Sequence, residues 1–464
     1  VIVLVEQHLK KSPFQIRNVR LFIAFRIFFN SRFYYPIFTI LFLDFGLTLQ
    51  QFALLNAVWA ATIVLLEVPS GALADTIGRK KLLEFTGVLM VIEMALLCFA
   101  PRENINLLFA VFLVNRVLSG TAEATASGAD EAIAYDALKK EGNPAEWPRV
   151  LEKQMRLQSM AYMGAMSLGA AVYDPALMQY IANWLGFNVQ ISQHITLRFP
   201  LYLTFLMAIL TLLTTLRMQE VSAQPSGSSE SDKGYGNSIN QALHLTIQAG
   251  HWILRTPFAL VIILAGLLFD NCIRMLITLN SQYYRIINLP EASFGLISSG
   301  LSVLGLFIPW LALSMARKRS PVFNLWMMAA LTLMGLVGYT YAWPIIGLLP
   351  VVLIRVVVYM QNFFQSHYLN RITHSEQRAT VLSFKGLSFN LAYGLIGVLY
   401  SFLLAFLQAQ ITHTQNFLTI SELQNVVFIK SLSYFPWYFI LTMTMTLVFA
   451  RWKLRDLNDH KVPG

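Results

Sequence analysis

Residues 67–81 read Glu67-Val68-Pro69-Ser70-Gly71-Ala72-Leu73-Ala74-Asp75-Thr76-Ile77-Gly78-Arg79-Lys80-Lys81. An apolar run ends here and a basic one begins, with a glycine at the reversal. Gly78 permits the backbone conformation a tight reversal needs. Gly71 and Ala74 are small enough to let the preceding helix approach a neighbour closely. Asp75 and Arg79 are four residues apart and pair if the turn is helical. Glu67 lies inside the apolar run just before Pro69, whose ring removes a helix hydrogen bond and favours a kink.

Outward from this loop the chain is a series of apolar stretches. A spanning helix needs about 20 mostly apolar residues, because it rises about 1.5 Å per residue across a core about 30 Å thick. About twelve stretches qualify, at approximately 20–43, 51–74, 82–100, 106–136, 150–173, 199–217, 257–283, 292–315, 322–341, 345–369, 379–407 and 431–451. The fourth is too long for a straight span, so its C-terminal end is expected to project or lie at the interface. The 464 residues are 56% hydrophobic and 12% charged. A soluble chain is about a quarter charged, so several soluble domains are excluded, as is disorder. The first stretch is followed by others and lacks a small-residue cleavage site, so it does not read as a signal peptide. Cys98 and Cys272 sit in apolar runs and suggest neither a disulfide framework nor a metal site.

A polar, Ser- and Gly-rich segment at 218–250 separates two apolar halves, 1–217 and 251–464. The net charge is +10, and its distribution explains it. With both termini cytoplasmic, Lys10, Lys11, Arg79, Lys80, Lys81, Lys139, Lys140, Arg317, Lys318, Arg319, Arg451 and Lys453 fall inside. The outer loops hold Arg102, Arg198, Arg285 and Lys430. This is the positive-inside pattern, and it removes the need for a nucleic-acid partner.

The 71–81 stretch resembles the loop signature of the major facilitator superfamily, G-x-L-a-D-r-x-G-R-[KR]. It matches at Gly71, Leu73, Ala74, Asp75, Gly78, Arg79 and Lys80, and departs at Thr76. The resemblance implies an all-α membrane protein of twelve helices, in two six-helix bundles joined by a cytoplasmic linker. It also implies a gating charge network that draws in Asp136 from the end of the fourth helix. The alternative is a solvated loop whose ion pair contributes little. Arg116-Val117-Leu118-Ser119-Gly120 resembles a second signature, R-x-x-x-G. The segments 127–136 and 378–383 resemble an efflux-like branch. The antiporter signature of the fifth span is not found: Gly164 and Gly169 are present without the intervening proline.

Charges inside the spans are costly unless they face a cavity or a partner. Arg116, Gly120, Glu123, Ser127 and Asp130 recur at steps of three and four and form one polar stripe. Glu123 is the first candidate for a proton carrier, Glu67 the second, and Asp270 a third. A structural pair of Glu123 with Arg116 or another arginine is the competing reading. Asp130, Glu131 and Asp136 are expected near a solvated helix end. Arg26, Asn30 and Tyr34 share a face of the first span, with Arg32 beside them. They are cavity candidates, although Arg26 also fits snorkelling to headgroups. In the second half, Asp270 and Arg274 are four apart and expected to pair. Arg355, Tyr359, Asn362 and Ser366 form a stripe, and Lys385 lies about two turns into the eleventh span. Three basic groups against one acid motivate an anionic or zwitterionic substrate. Trp59 and Tyr359 are expected in the cavity, and Trp147, Trp437 and Trp452 in interfacial belts. His367 and His374 read as ordinary loop histidines.

There is no phosphate-binding loop, so no cofactor is expected and ATP-driven transport is disfavoured. The expected function is secondary transport of a small amphipathic or anionic molecule (metabolite, siderophore or drug). It is expected to be proton-coupled, leaning to export, by a monomer in a bacterial inner membrane. The alternatives are an importer of an anionic metabolite or iron-carboxylate siderophore, or a lipid flippase on the same fold. An enzyme is not expected.

Overall fold

The computed structural model describes residues 12–220, 256–372, 378–414 and 419–459, with a few positions within 244–254. Most of the 218–250 linker, and Lys10, Lys11 and His374, lie outside the described residues. Every element is helical among the described residues. The chain forms two compact units. The first comprises residues 1–37 and 61–243, and the second 38–60 and 244–464. Residues 38–60 therefore group with the later half of the chain.

In the first unit, α1 (Arg17–Asn30) is the first half of an expected span, and the second half is a separate helix, α2 (Phe38–Phe45), of the second unit. The expectation of one helix over 20–43 is corrected. Local chemistry explains the break. The Asn30 amide donates to the Arg26 carbonyl at 2.8 Å and the Ser31 hydroxyl to the Ile27 carbonyl at 2.7 Å, competing with the helix ladder. Pro36, which lacks an N–H, then sits in a short 3-10 turn, Tyr35–Ile37, that leads into α2, so the gap in the α-helix is residues 31–37. Arg26, Asn30 and Tyr34 consequently do not share one helical face.

The freed backbone groups need partners where there is no water. The Phe33 amide donates to Thr204 Oγ1 at 3.0 Å. Thr204 belongs to α10 (Phe199–Leu216), and Gly169 of α7 (Trp147–Tyr173) lies against the same turn. A Cβ at Gly169 would sit 1.8 Å from the Phe33 carbonyl oxygen. The small-residue approach expected at Gly71 is absent, since a Cβ there meets nothing within 4 Å. Gly87 of α4 (Arg79–Cys98) is a second site of close packing: its Cβ would meet the Leu212 backbone of α10 at 2.9 Å.

α3 (Leu49–Ile77) continues through Pro69 and ends at Gly78, whose φ is +97°. The expected fourth span is two helices, α5 (Ile105–Ala126) and α6 (Ala129–Glu141), divided at Gly128 with φ +78°. α6 does not project freely. Its Ile133, Ala134, Ala137 and Leu138 are buried, and the last three share a cluster with Val19, Phe22 and Ile23 of α1. Asp130 and Glu131 in its first turn and Lys139 and Lys140 in its last complement the helix dipole. After α7 come the short helices α8 (Pro175–Trp184) and α9 (Gln193–Thr196), then α10.

The second unit contains α11 (Pro257–Ile286), α12 (Ser293–Lys318), α13 (Pro321–Tyr341), α14 (Leu348–Ile372), α15 (Arg378–Thr414), α16 (Ile420–Leu432) and α17 (Tyr434–Asp459). α13 and α14 pack closely, since a Cβ at Gly338 would meet Pro350 at 2.5 Å. α2 is tied to α11. Ser281 Oγ accepts from the Thr39 amide at 3.0 Å and the Ile40 amide at 3.2 Å. The Thr39 hydroxyl donates to the Thr278 carbonyl at 2.5 Å.

Nine helical stretches among the described residues are long and apolar enough to cross a membrane. The remaining three expected spans are the broken first one, α4 and α7. The last two carry charge near their starts: Arg79, Lys80, Lys81 and Glu84 on α4, and Arg149, Glu152, Lys153 and Arg156 on α7.

Replacing Gly169 with Ala forces the Phe33 turn outward. The expected cost is about 1–3 kcal/mol of stability, read as a lower melting temperature in detergent. A variant that melts with the wild type would show that this close approach contributes nothing.

Candidate functional site

Each unit holds its own polar cluster. In the first unit a cavity of about 260 Å³ opens between α1, the end of α5 and the start of α6. Arg26 and Asn30 line it from α1, and Glu123, Asp130 and Glu131 from the other two. Arg26 Nε lies 2.5 Å from Asp130 Oδ2, and its Nη2 lies 2.9 Å from Glu131 Oε1. Asp130 is 1% exposed, so the expectation of a solvated helix end is corrected for it. The turn at Gly128 brings Asp130 under α1. Glu123 makes no hydrogen bond or ion pair among the described residues, and its side chain is exposed to the cavity. Its pairing with Arg116 does not occur; Arg116 instead donates to Asn115 Oδ1 at 3.1 and 3.0 Å.

Deeper in this unit, Arg32 pairs with Glu93 of α4, and the two side chains are 3% and 1% exposed. The Arg32 Nε donates to the Phe29 carbonyl at 3.3 Å. The Asn115 amide donates to the Glu93 backbone carbonyl at 2.9 Å, joining α5 to α4. Glu93, the buried partner of a cavity candidate, is a residue that sequence reasoning missed. Its only local signal is an acid within an apolar helix.

At the 71–81 loop, Arg79 and Asp136 form the ion pair the loop resemblance implies. Both side chains are about a third exposed, 31% and 30%, so the pair alone contributes only about 0–1 kcal/mol. Lys80 reaches Glu84 at 3.4 Å. Glu220, also missed, accepts the Lys80 amide at 2.8 Å and lies over Gly78. The Asp75 side chain is outside the described residues. Glu67 is half-buried, and its Oε2 has no hydrogen-bond partner. One turn on, the Ser70 hydroxyl reaches the Ala124 carbonyl at 2.8 Å.

In the second unit, Arg274 pairs with Asp270 at 2.9 Å, as its spacing predicts. Its other nitrogen donates to Asn390 Oδ1 of α15 at 3.0 Å, and its guanidinium lies 5.3 Å from the Tyr393 ring centre. Lys385 sits over the Phe389 ring, 5.6 Å from its centre, without an ion pair among the described residues. Arg355 likewise has none, Tyr359 abuts Gly305 of α12, and Asn362 is exposed. Arg285, expected only as a loop cation, donates to two acids. Its nitrogens lie 2.8 and 2.7 Å from Asp44 and 2.5 Å from Glu291.

A profile of the Major Facilitator Superfamily matches residues 20–397. The chain belongs to that superfamily. It is an integral multi-pass membrane protein with the twelve-helix fold, which accounts for the three more polar spans. No curated protein matches the chain in sequence. Solved structures share the fold at low identity. A bacterial homologue of the human lysosomal transporter Spinster, inward-facing and unoccupied, is 14% identical with a TM-score of 0.69 over 96% of this chain and 98% of that one. The nucleoside transporter NupG is 12% identical, with a TM-score of 0.61 over 92% and 98%. A D-xylose–proton symporter is 13% identical, with a TM-score of 0.57 over 91% and 97%. As a member of the superfamily, the chain is a membrane transporter for a small molecule.

Removing one partner of the Arg32–Glu93 pair strands a buried charge. Arg32→Met and Glu93→Leu should each destabilise by about 3–5 kcal/mol, and the double variant by much less. Unfolding in detergent measures all three. A double variant as unstable as the sum of the singles would remove the coupling.

Proposed function

We propose that this transporter is a proton-coupled secondary transporter that exports a small amphipathic or anionic molecule, of the metabolite, siderophore or drug class, by alternating access. The observation that carries the proton reading is Glu123: a carboxylate in a polar cavity, without a partner, beside the Arg26–Asp130–Glu131 cluster. An ionisable group inside a span is costly unless it has a function. Because Arg26 is already engaged by two acids, Glu123 is the group free to gain and lose a proton. Glu67 and Asp270 are the secondary carriers.

The substrate reading rests on the second unit. Arg274 is shared by Asp270 and Asn390, while Lys385, whose charge is felt by the same Asp270, and Arg355 make no ion pair of their own among the described residues. Three half-buried cations against one acid favour an anionic ligand group. Arg26, Asn30, Arg32, Tyr34, Tyr359 and Asn362 complete the proposed cavity set. Gly71, Asp75, Gly78, Arg79, Lys80, Arg116 and Asp136 form the proposed gate. The export direction follows from the resemblance at 127–136 and 378–383, and the orientation with both termini in the cytoplasm from the distribution of Lys and Arg. The proposed setting is a monomer in a bacterial inner membrane.

Reconstitution in vesicles with an imposed pH gradient tests the coupling. Glu123→Gln should abolish gradient-driven transport while leaving substrate exchange, and Glu67→Gln should reduce it. Normal coupling in both variants would overturn the assignment. Arg355→Gln and Lys385→Gln should each weaken binding of an anionic substrate about tenfold or more, the loss of one charge-assisted hydrogen bond. Binding isotherms showing unchanged affinity in both would leave the anionic reading without support.

A further inference from the structure

Between α7 and α10 the chain runs from Pro175 to Leu197 without a single Asp, Glu, Lys or Arg. This segment lies at the end of the first unit away from Gly78, beside the 99–104 turn: Arg198 donates to the Ala100 carbonyl at 2.9 Å. α8 starts directly after the spanning helix α7. Asp174 ends α7 and caps α8, accepting from the Ala176 and Leu177 amides at 2.8 and 3.1 Å. No slack separates the two.

α8 and its return form a stapled hairpin. The Gln179 amide donates to Asn183 Oδ1 at 2.8 Å and the Val189 carbonyl at 2.9 Å, and its oxygen accepts the Ile191 amide at 2.7 Å. Gly186, at φ +79°, closes the helix, and the Phe187 amide returns to the Ala182 carbonyl at 2.9 Å. The hairpin nevertheless turns its largest apolar side chains outward. Tyr180 is 70% exposed, Trp184 78% and Phe187 60%. Leu177, Ile181 and Trp184 recur at steps of four and three on one face, with Tyr180 beside it.

We infer that this hairpin is an interfacial anchor, lying in the headgroup–acyl boundary of the leaflet at that end, with Tyr180, Trp184 and Phe187 as its buried contacts. Three observations favour lipid as the occupant. The hairpin is continuous with a membrane-spanning helix, so it starts at the boundary. Its helix satisfies its own backbone, and Gln179 takes up the Val189 carbonyl and the Ile191 amide of the return, which lowers the cost of facing lipid. Its outward side chains are the aromatic and aliphatic types that settle at that depth. Because it lacks charge, adsorption rests on apolar burial, and it is indifferent to the charge of the lipid. The anchor fixes the depth of the first unit at this end, independently of the transport reaction.

The test uses the full chain in phosphatidylcholine vesicles. The Trp184 emission is the difference between the wild type and Trp184→Phe, which keeps an apolar ring at the site. Lipids brominated at shallow acyl positions should quench that difference more strongly than lipids brominated near the chain ends, and aqueous acrylamide should quench it weakly. Equal quenching in vesicles containing anionic lipid is expected. Strong acrylamide quenching with no bromolipid effect would place Trp184 in water and overturn the inference. Protection from both quenchers would mean that protein covers it, and also overturns the inference. Quenching that requires anionic lipid overturns the charge-independent anchor.

Discussion

A backbone amide inside a membrane has no water to bond to, and the structure is organised around that constraint where the first span breaks. Asn30 and Ser31 turn their side chains back on α1, a 3-10 turn holding Pro36 follows, and α2 starts at Phe38. The amides this releases are taken up by threonine and serine hydroxyls of other helices: Thr204 for Phe33, and Ser281 for Thr39 and Ile40. The break therefore depends on side chains far away in sequence. It also sets the membership of the two units, since the chain passes from one to the other at residues 37 and 38.

The same water-free setting sorts the charges. Arg32, at the break, is satisfied by Glu93, and the pair is supported by Asn115. Arg26 is satisfied twice, by Asp130 and Glu131, because the glycine turn at 128 brings the start of α6 beneath α1. Arg285 is likewise satisfied twice, by Asp44 and Glu291. These clusters hold helices together. Glu123 in one unit and Lys385 and Arg355 in the other make no ion pair among the described residues, and the proposed coupling and binding rest on them.

How much was legible in the sequence depended on distance along the chain. The Arg79–Asp136 pair was read through the loop resemblance, and the Asp270–Arg274 pair through its four-residue spacing. The Arg32–Glu93 pair joins residues 61 apart and Arg285–Asp44 residues 241 apart, and no local pattern signals either. The break at 31–37 did carry local signals, in Asn30-Ser31 and Pro36. Continuous hydropathy over 20–43 outweighed them, because hydropathy measures what a segment can be buried in rather than whether its helix is unbroken. Ser127-Gly128 was overlooked in the same way, and with it the burial of Asp130. The expectation of close packing at Gly71 shows the converse: a small residue permits an approach without requiring one.

The contact between Gly169 and the Phe33 carbonyl constrains the two positions unequally. On one side stands a main-chain oxygen, which every amino acid supplies; on the other stands a Cα with no room for a side chain. A change of side chain at residue 33 leaves that oxygen, and the amide that reaches Thr204, in place for any residue but proline, whereas any side chain at residue 169 must displace the turn. A segment whose backbone geometry is critical can change its side chains at less cost than the residue packed against it.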